Sequence, residues 1–225
     1  VCMDKFISFL SNINSKTFED LKYISLGGGM FSRMNEYIKE QIPFDIPGFN
    51  EYAENSIKYL SKYLEKHSNS QALKPEILIE PGTALASKAV DFAVHVVSIK
   101  KIKDVTYVNT TGSKYNMNPS PNRINSPVEI LNFSSQGSKN VKNAKLCGYT
   151  CIETDIIHDN FNGKISIGDI IIFKEVGSYS VVMKPPFILP DVVMIELNDE
   201  LNRFEIIRNK QKFKDIFSNF NFFNN

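Results

Sequence analysis

The sequence predicts two parts of different fold class: an α/β segment over residues 1–89, followed by a mostly antiparallel β domain over residues 90–225. Two short apolar runs before Ala89, residues 21–26 and 77–79, are typical of strands and are separated by a helical pattern. After Ala89, β-rich runs alternate with turn residues and no long helical pattern follows. This change in the predicted secondary structure places the domain boundary after residue 89.

Composition bounds the function classes. The 225 residues are 42% hydrophobic and 23% charged, with a formal net charge of +1, which gives no reason to expect a nucleic-acid or anionic-membrane partner. No apolar run reaches the roughly 18 residues that a membrane span needs. The cysteines, Cys2, Cys147 and Cys151, are sparse and odd in number. Together with the absence of a signal-peptide pattern, they favour a reducing, cytoplasmic location over a disulfide framework.

The first predicted strand runs directly into three glycines, Gly27, Gly28 and Gly29. Successive glycines allow backbone conformations that are closed to other residues, and they let amide N–H groups approach a ligand closely. The pattern is therefore compatible with a phosphate cradle and also with a flexible turn. A helix predicted over residues 4–13 precedes this strand.

The second predicted strand, residues 77–79, is expected to be buried and is followed by Glu80, a Pro-Gly turn and Thr83. A helix predicted over residues 51–66 connects the two strands, so the whole describes a βαβ unit with a parallel sheet. Parallel strands end at the same edge, so the glycine turn and the Glu80 turn should lie side by side. That adjacency is what a phosphorylated cofactor would need.

The second part is predicted to be built from short strands with a long polar connection over residues 109–126. The predicted strands cover residues 92–99, 105–108, 128–133, 145–148, 169–173, 180–183, 192–197 and 204–208, with a short helix at 211–217.

Four motifs now stand in order along the chain: Gly27–Gly29, Glu80–Gly82, Gly148–Asp155 and Gly177–Ser180. This succession resembles the C-terminal half of the fold-type III pyridoxal-phosphate decarboxylases, which act on ornithine, diaminopimelate, arginine or carboxynorspermidine. The resemblance runs from about residue 4 to residue 217.

The resemblance implies a fold. Residues 1–89 would be the last βα units of a (β/α)8 TIM-type barrel that binds pyridoxal 5'-phosphate, and residues 90–225 the C-terminal β domain. It also implies a homodimer with shared active sites, an amino-acid substrate, and a place in amino-acid metabolism such as polyamine or lysine biosynthesis.

The resemblance assigns the cofactor site. The three glycines match the family's phosphate-binding loop, and Glu80 matches the carboxylate that keeps the pyridine nitrogen protonated. The alternative interpretation of Glu80 is a residue at a strand end that pairs with a nearby lysine. Gly82 and Thr83 complete the turn, but Thr83 stands where the family usually has arginine, and a hydroxyl supplies neither charge nor a bidentate fork. Arg33 is the nearest substitute, although it is typical of a surface arginine.

Cys151 matches the family cysteine that reaches into the partner subunit's active site and handles the proton at the substrate carbon after decarboxylation. The alternative is a small buried hydrophobe, which fits Cys147 better. Glu153 and Asp155 are candidate substrate-binding residues, and Asp155 matches a recurring family aspartate. Ile152 stands where an acidic residue is common, so the sequence leaves the substrate unassigned.

Tyr179 matches the family tyrosine that contacts the cofactor phosphate, although most of the nine tyrosines must be packing residues. The three histidines, His67, His95 and His158, have no spacing typical of a metal site. We therefore expect no metal.

The family's Schiff-base lysine and the histidine that stacks on the cofactor ring belong upstream of Val1, so this chain alone is predicted to be inactive. A truncated sequence, a separate chain carrying the N-terminal half, and a decayed remnant are the three explanations. The sequence favours a missing N-terminal half, because a lone half-barrel cannot close its core.

The function hypothesis is the C-terminal half of a pyridoxal-phosphate-dependent decarboxylase that removes the α-carboxylate of an amino acid as CO2. The alternative is a non-catalytic paralogue that binds or regulates an active decarboxylase. Thr83 in place of arginine and Ile152 in place of an acidic residue favour this alternative slightly. A racemase with a similar barrel fold is a further alternative, and the Cys151 motif argues against it.

Overall fold

The structure is a computed structural model that describes residues 2–31, 34–67, 75–117, 124–133, 137–198, 200 and 202–221. Arg33, considered above for phosphate binding, lies outside the described residues. The chain divides into two compact units, Val1–Ala89 and Val90–Asn225. Each is described by itself.

The first unit is mainly helical. Its helices are α1 (Cys2–Ser11), α2 (Ser15–Glu19), α3 (Glu36–Lys39), α4 (Phe49–Tyr52), α5 (Tyr59–His67) and α6 (Gly82–Ala86), with a π-helical turn at Ala53–Lys58 joining α4 to α5 and a 3-10 turn at Ser87–Ala89. The short helices α2 and α3 begin at asparagines whose side chains accept a backbone N–H, Asn14 from Thr17 and Asn35 from Tyr37, both at 2.9 Å. The long helices predicted near residues 4–13 and 51–66 are present, whereas α2, α3 and α6 were not predicted.

Two strands, β1 (Tyr23–Ser25) and β2 (Glu76–Leu78), form a parallel pair in which Ile24 lies opposite Ile77. The predicted βαβ unit is therefore confirmed. Its core is built from four buried side chains, with Ile77 packed against them; they are Leu10, Ile24, Leu60 and Leu64.

The second strand is less buried than its apolar sequence predicted. Leu78 is 43% exposed and Ile79, which follows the strand, is 41% exposed. Among the described residues the sheet has only these two strands, so no third strand covers the remaining apolar side chains. The expectation of a buried strand over residues 77–79 is wrong for the chain by itself.

The second unit is a six-stranded sheet with a separate hairpin. Its strands are β3 (Phe92–Ile102), β4 (Val105–Thr110), β5 (Val128–Leu131), β6 (Lys139–Cys147), β7 (Ile156–Ile165), β8 (Ile170–Phe173), β9 (Met194–Asn198) and β10 (Arg203–Arg208), followed by α7 (Phe213–Ile216). The large sheet has the order β5-β8-β3-β4-β6-β7, and β9 pairs with β10. All these pairs are antiparallel except β4 with β6, which is parallel.

Alternating side chains along these strands form the core of the second unit. Val94 and Val96 on β3 are 3% and 2% exposed, and Ile171 and Phe173 on the neighbouring β8 are fully buried. Burying one such side chain contributes about 1.5–3 kcal/mol to folding. The predicted class, an α/β segment followed by a mostly antiparallel β domain, is confirmed. No helix in the described part of the chain is long and apolar enough to cross a bilayer.

One predicted strand was wrong, and one strand of the structure was not predicted. Residues 180–183 form a turn, not a strand, because Tyr179 has a φ of +64° and the Met183 N–H donates to the Tyr179 carbonyl at 3.0 Å. Conversely, β7 was not predicted, since its Asn- and Gly-containing sequence is typical of a loop. Irregular pairing with β6 accommodates those residues, and Asn160 at φ +58° lies in one of the irregularities.

Candidate functional site

The glycine turn after β1 and the end of β2 are fastened together by backbone hydrogen bonds. Leu26 N donates to Leu78 O at 2.9 Å, and Glu80 N donates to Gly27 O at 2.8 Å. A Cβ on Gly28 would lie only 2.7 Å from the Glu80 carbonyl oxygen, while Gly27 and Gly29 have φ values of +69° and +83°. All three positions therefore require glycine for conformation or close approach.

The same turn offers hydrogen-bond donors. The Gly27 N–H points to Ser25 Oγ at 3.2 Å. Gly28 and Gly29 are exposed residues, and their N–H groups have no hydrogen-bond partner in the described part of the chain. Unpaired N–H groups in a turn with alternating φ signs form an anion-binding concavity. The turn can therefore bind a phosphate or carboxylate.

Glu80 lies directly beyond β2, at the same edge as the glycine turn. Its carboxylate is exposed and accepts a hydrogen bond from Ser25 Oγ at 2.9 Å. Ser25 was not predicted as a site residue. Ser25 is the last residue of β1 and lies opposite Leu78, so its hydroxyl comes within reach of Glu80. This position in the strand pairing is the signal that could have identified it.

The rest of the Glu80 turn starts α6. The Gly82 N–H donates to the Glu80 carbonyl at 2.9 Å, and the Thr83 carbonyl accepts from Ser87 Oγ at 2.8 Å. No hydrogen bond occupies the Thr83 hydroxyl among the described residues. The edge thus presents two free amides, one hydroxyl and one oriented carboxylate.

These groups fit the chemistry of a phosphorylated pyridine cofactor. Amide donors suit a phosphate, and a carboxylate suits a protonated ring nitrogen. The fit rests on the unpaired Gly28 and Gly29 N–H groups and on the exposed Glu80 carboxylate at the same edge. The predicted residues Gly27, Gly28, Gly29, Glu80, Gly82 and Thr83 all belong to this one edge of the first unit.

In the second unit, the connection from β6 to β7 forms a loop over residues 148–155, which we call the cysteine loop. Cys151 is exposed in it, and so is Glu153. Cys147, at the end of β6, is half-buried and donates weakly to the Lys145 carbonyl at 3.5 Å. Burial, reinforced by the nearby Asp155 carboxylate, raises the pKa of the Cys147 thiol to about 11. The two thiols therefore differ in access, and Cys147 suits an inert structural role.

Asp155 closes the cysteine loop and is only 3% exposed. Its carboxylate accepts from Ser113 Oγ at 2.9 Å, from Lys114 N at 2.7 Å, and from Thr150 Oγ1 and N at 2.7 and 3.2 Å. A Cβ on Gly148 would lie 2.1 Å from Asp155 Oδ2. Ser113 and Thr150 were not predicted. The role of Asp155 in substrate binding stays a prediction, but its oxygens are already engaged by the chain itself.

Tyr179 lies between two buried serines, Ser178 and Ser180, and its own side chain is 49% exposed. Its φ of +64° is unusual for an aromatic residue and turns the chain sharply. The Ser180 hydroxyl donates to the Val176 carbonyl within the same turn. The turn therefore holds the tyrosine ring on the surface.

Within the described residues, no group of three or more His, Cys, Asp or Glu side chains could hold a metal ion. His158 is buried on β7, and burial lowers its pKa to about 4.

Comparison with known families decides the classification. Residues 2–177 match the family described as pyridoxal-dependent decarboxylase, C-terminal sheet domain. The chain belongs to the pyridoxal-dependent decarboxylases. The predicted resemblance to the C-terminal half of fold-type III enzymes is confirmed.

Several solved structures share the fold of this chain. Diaminopimelate decarboxylase from Helicobacter pylori, complexed with L-lysine, superposes with a TM-score of 0.68 at 18% identity, covering 95% of this chain and 48% of that one. AQ1208 from Aquifex aeolicus gives 0.70 at 16% identity, covering 96% and 49%. The Paramecium bursaria Chlorella virus arginine decarboxylase bound to agmatine gives 0.54 at 20% identity, covering 74% and 41%.

The chain therefore spans about half the length of the structures it matches. At these identities the likeness shows a shared fold. A search of curated protein sequences gives no significant match.

Proposed function

We propose that this chain forms the C-terminal half of a pyridoxal-phosphate-dependent amino-acid decarboxylase, which releases the α-carboxylate of its substrate as CO2 and leaves an amine. The observation that carries the proposal is the edge of the first unit. It combines the free amides of Gly28 and Gly29 with the Glu80 carboxylate, which Ser25 orients. Family membership supports the same cofactor.

Each residue at this edge has a task. The Gly28 and Gly29 amides hold the cofactor phosphate, and the Thr83 hydroxyl adds one donor without charge. Ser25 fixes the Glu80 carboxylate, which holds the proton on the pyridine nitrogen. When bound, pyridoxal phosphate supplies the electron sink that accepts the bonding electrons left by departing CO2.

The second unit supplies the residues that act on the substrate. The exposed thiol of Cys151 delivers a proton to the substrate carbon in the active site of the partner subunit of a homodimer. In this proposal Glu153, which is exposed in the same loop, meets a positively charged group of the substrate. The surface ring of Tyr179 contacts the cofactor phosphate.

An N-terminal portion completes the enzyme in this proposal and supplies the lysine that holds the cofactor. The exposed apolar side chains of Leu78 and Ile79 support it, because further barrel strands would cover them. The half-length coverage of the matching structures also supports it. In this proposal the first unit is the end of a (β/α)8 barrel, and the assembled enzyme works in the cytoplasm.

The test is co-expression of the chain with the reading frame directly upstream of Val1. Bound cofactor is measured by its absorbance, and CO2 release is measured from diaminopimelate, ornithine and arginine. We expect Glu80→Gln to lower CO2 release by at least about a hundredfold while the phosphate cradle still retains cofactor. Glu76→Gln, at an exposed glutamate of the preceding strand β2, is the matched control and should keep full activity.

Equal activity of Glu80→Gln and Glu76→Gln would refute the role of Glu80. An assembled protein that neither binds pyridoxal phosphate nor releases CO2 would refute the enzyme proposal.

The second candidate function is a non-catalytic paralogue that binds and regulates an active decarboxylase. Thr83 in place of the expected arginine and Ile152 in place of an acidic residue favour it. In that case the assembled protein would lack activity but would change the rate of an added active decarboxylase.

A further inference from the structure

The Asp155 carboxylate joins two pieces of chain that are distant in sequence. Ser113 and Lys114 belong to the segment after β4, whereas Thr150 and Asp155 both belong to the cysteine loop that precedes β7. In the described part of the chain, every hydrogen bond to the carboxylate comes from one of four donors: two hydroxyls and two backbone N–H groups. A group that only accepts hydrogen bonds is therefore required at this position.

Further bonds tie the cysteine loop to the same point. Gly148 N donates to Asp155 O and Asp155 N donates to Ile152 O, both at 2.9 Å. Ile152 N lies 3.3 Å from Thr150 Oγ1, the hydroxyl that donates to Asp155. Cys151 thus stands between two residues that are both fixed through Asp155, while its own side chain stays exposed.

We propose that Asp155 is a positioning residue for Cys151. Asp155 acts through Ser113 and Thr150 and does not itself contact the amino-acid substrate. The catalytic part of this inference rests on the proposed decarboxylase function. An anchor of this kind fits the burial of Asp155, which is 3% exposed, better than a substrate contact does. The substrate-facing acid of the loop is then Glu153, which is exposed.

Asp155→Asn tests the anchor in the chain itself. The amide keeps the shape but turns one acceptor into a donor, and in either orientation its NH2 group faces a backbone N–H, that of Lys114 or that of Thr150. We expect hydrogen exchange at the Lys114 and Thr150 amides to accelerate by about tenfold or more. Exchange along β3 should stay unchanged. Asp104→Asn, which removes the same charge from the exposed turn between β3 and β4, is the control and should change neither amide.

Thr150 variants test the effect on the reaction in the assembled enzyme. Thr150→Val removes the hydroxyl that donates to Asp155, and Thr150→Ser restores it. We expect Thr150→Val to lower kcat by about tenfold and Asp155→Asn by about a hundredfold, because a misplaced proton donor slows the chemical step. KM for the amino acid should change less than about twofold, and Thr150→Ser should recover most of kcat.

The outcomes separate the two proposals. Unchanged exchange at Lys114 and Thr150 in Asp155→Asn overturns the anchor, whatever the enzyme does. A rise in KM with kcat preserved overturns positioning and assigns Asp155 to substrate binding. If the assembled wild-type protein releases no CO2, the proposed function fails and the catalytic part of this inference fails with it, while hydrogen exchange still decides the anchor.

Discussion

Glu80 and Asp155 are both carboxylates at the end of a strand or loop, and their surroundings are opposite. Glu80 is exposed and accepts one side-chain hydrogen bond, from Ser25. Asp155 is almost completely buried and is surrounded by four donor groups. An acid matched by a family motif can therefore be exposed at a strand end, where we propose that Glu80 meets a ligand, or be engaged by the fold, as Asp155 is. The number of bonds already made by its oxygens separates the two cases.

The glycines beside these carboxylates extend the comparison. The missing Cβ of Gly148 leaves space for the buried Asp155 side chain, and the missing Cβ of Gly28 leaves space for the backbone carbonyl of the exposed Glu80. In the first case the glycine makes room for a closed network, and in the second for an open cradle.

Gly148→Ala should have the largest effect. The new Cβ would lie 2.1 Å from Asp155 Oδ2, so the carboxylate must move and its donors, of which Ser113 is buried, lose their partner. We expect the free energy of unfolding of the second unit to fall by about 3–4 kcal/mol, measured by urea denaturation. Gly137→Ala, which meets no atom within 4 Å, is the control in the same unit. Similar stability of the two variants would contradict a closed network around Asp155.

Acid should destabilise the second unit through His158. Its folded-state pKa is about 4, below the ordinary 6.5, because burial disfavours the charged ring, although the Asp159 carboxylate opposes this. Below pH 6.5 the unfolded chain therefore binds a proton that the folded chain does not. Stability is full above pH 6.5 and falls by at most about 3 kcal/mol as the pH drops to 4.

Urea denaturation across this pH range measures that loss. His158→Gln should remove most of the pH dependence of the second unit. His67→Gln, at an exposed histidine of the first unit, should leave it in place. A pH dependence that survives His158→Gln would assign the acid sensitivity to other groups.

Gly28→Ala should have the smallest effect on stability. Its Cβ would lie 2.7 Å from the Glu80 carbonyl oxygen, but both residues are exposed and the strand ends can separate. We expect a loss of about 1–2 kcal/mol in the first unit and a clear loss of pyridoxal-phosphate affinity in the assembled enzyme. Gly82→Ala meets no atom within 4 Å at the start of α6 and should cost no stability. Equal cofactor affinity of Gly28→Ala and wild type would argue against the cradle.

The sequence predicted the edge of the first unit well, because local patterns determine it. Two apolar runs, a helix between them and the turns after Ser25 and Leu78 are enough to place Gly27 and Glu80 at one edge of a parallel pair. The hydrogen bond from Ser25 was missed, since it depends on the register of the two strands.

The second unit was harder to predict, because tertiary pairing there overrides local preference. The Asn-rich β7 is a strand because it pairs with β6, and the β-branched residues 181 and 182 form a turn because Tyr179 adopts a positive φ. Likewise, the contacts of Ser113 with Asp155 join residues 42 positions apart, which no spacing rule would find. The family motif located Asp155 but did not predict its burial.

The two-stranded sheet of the first unit has a further consequence for handling the protein. Among the described residues neither outer edge of the β1–β2 pair is covered by another strand, and the apolar side chains of Tyr23, Leu78 and Ile79 are exposed beside those edges. Unpaired strand edges with apolar neighbours are templates for strand addition. The isolated chain should therefore self-associate as its concentration rises, and a companion polypeptide that supplies strands to these edges would act as its solubilising partner.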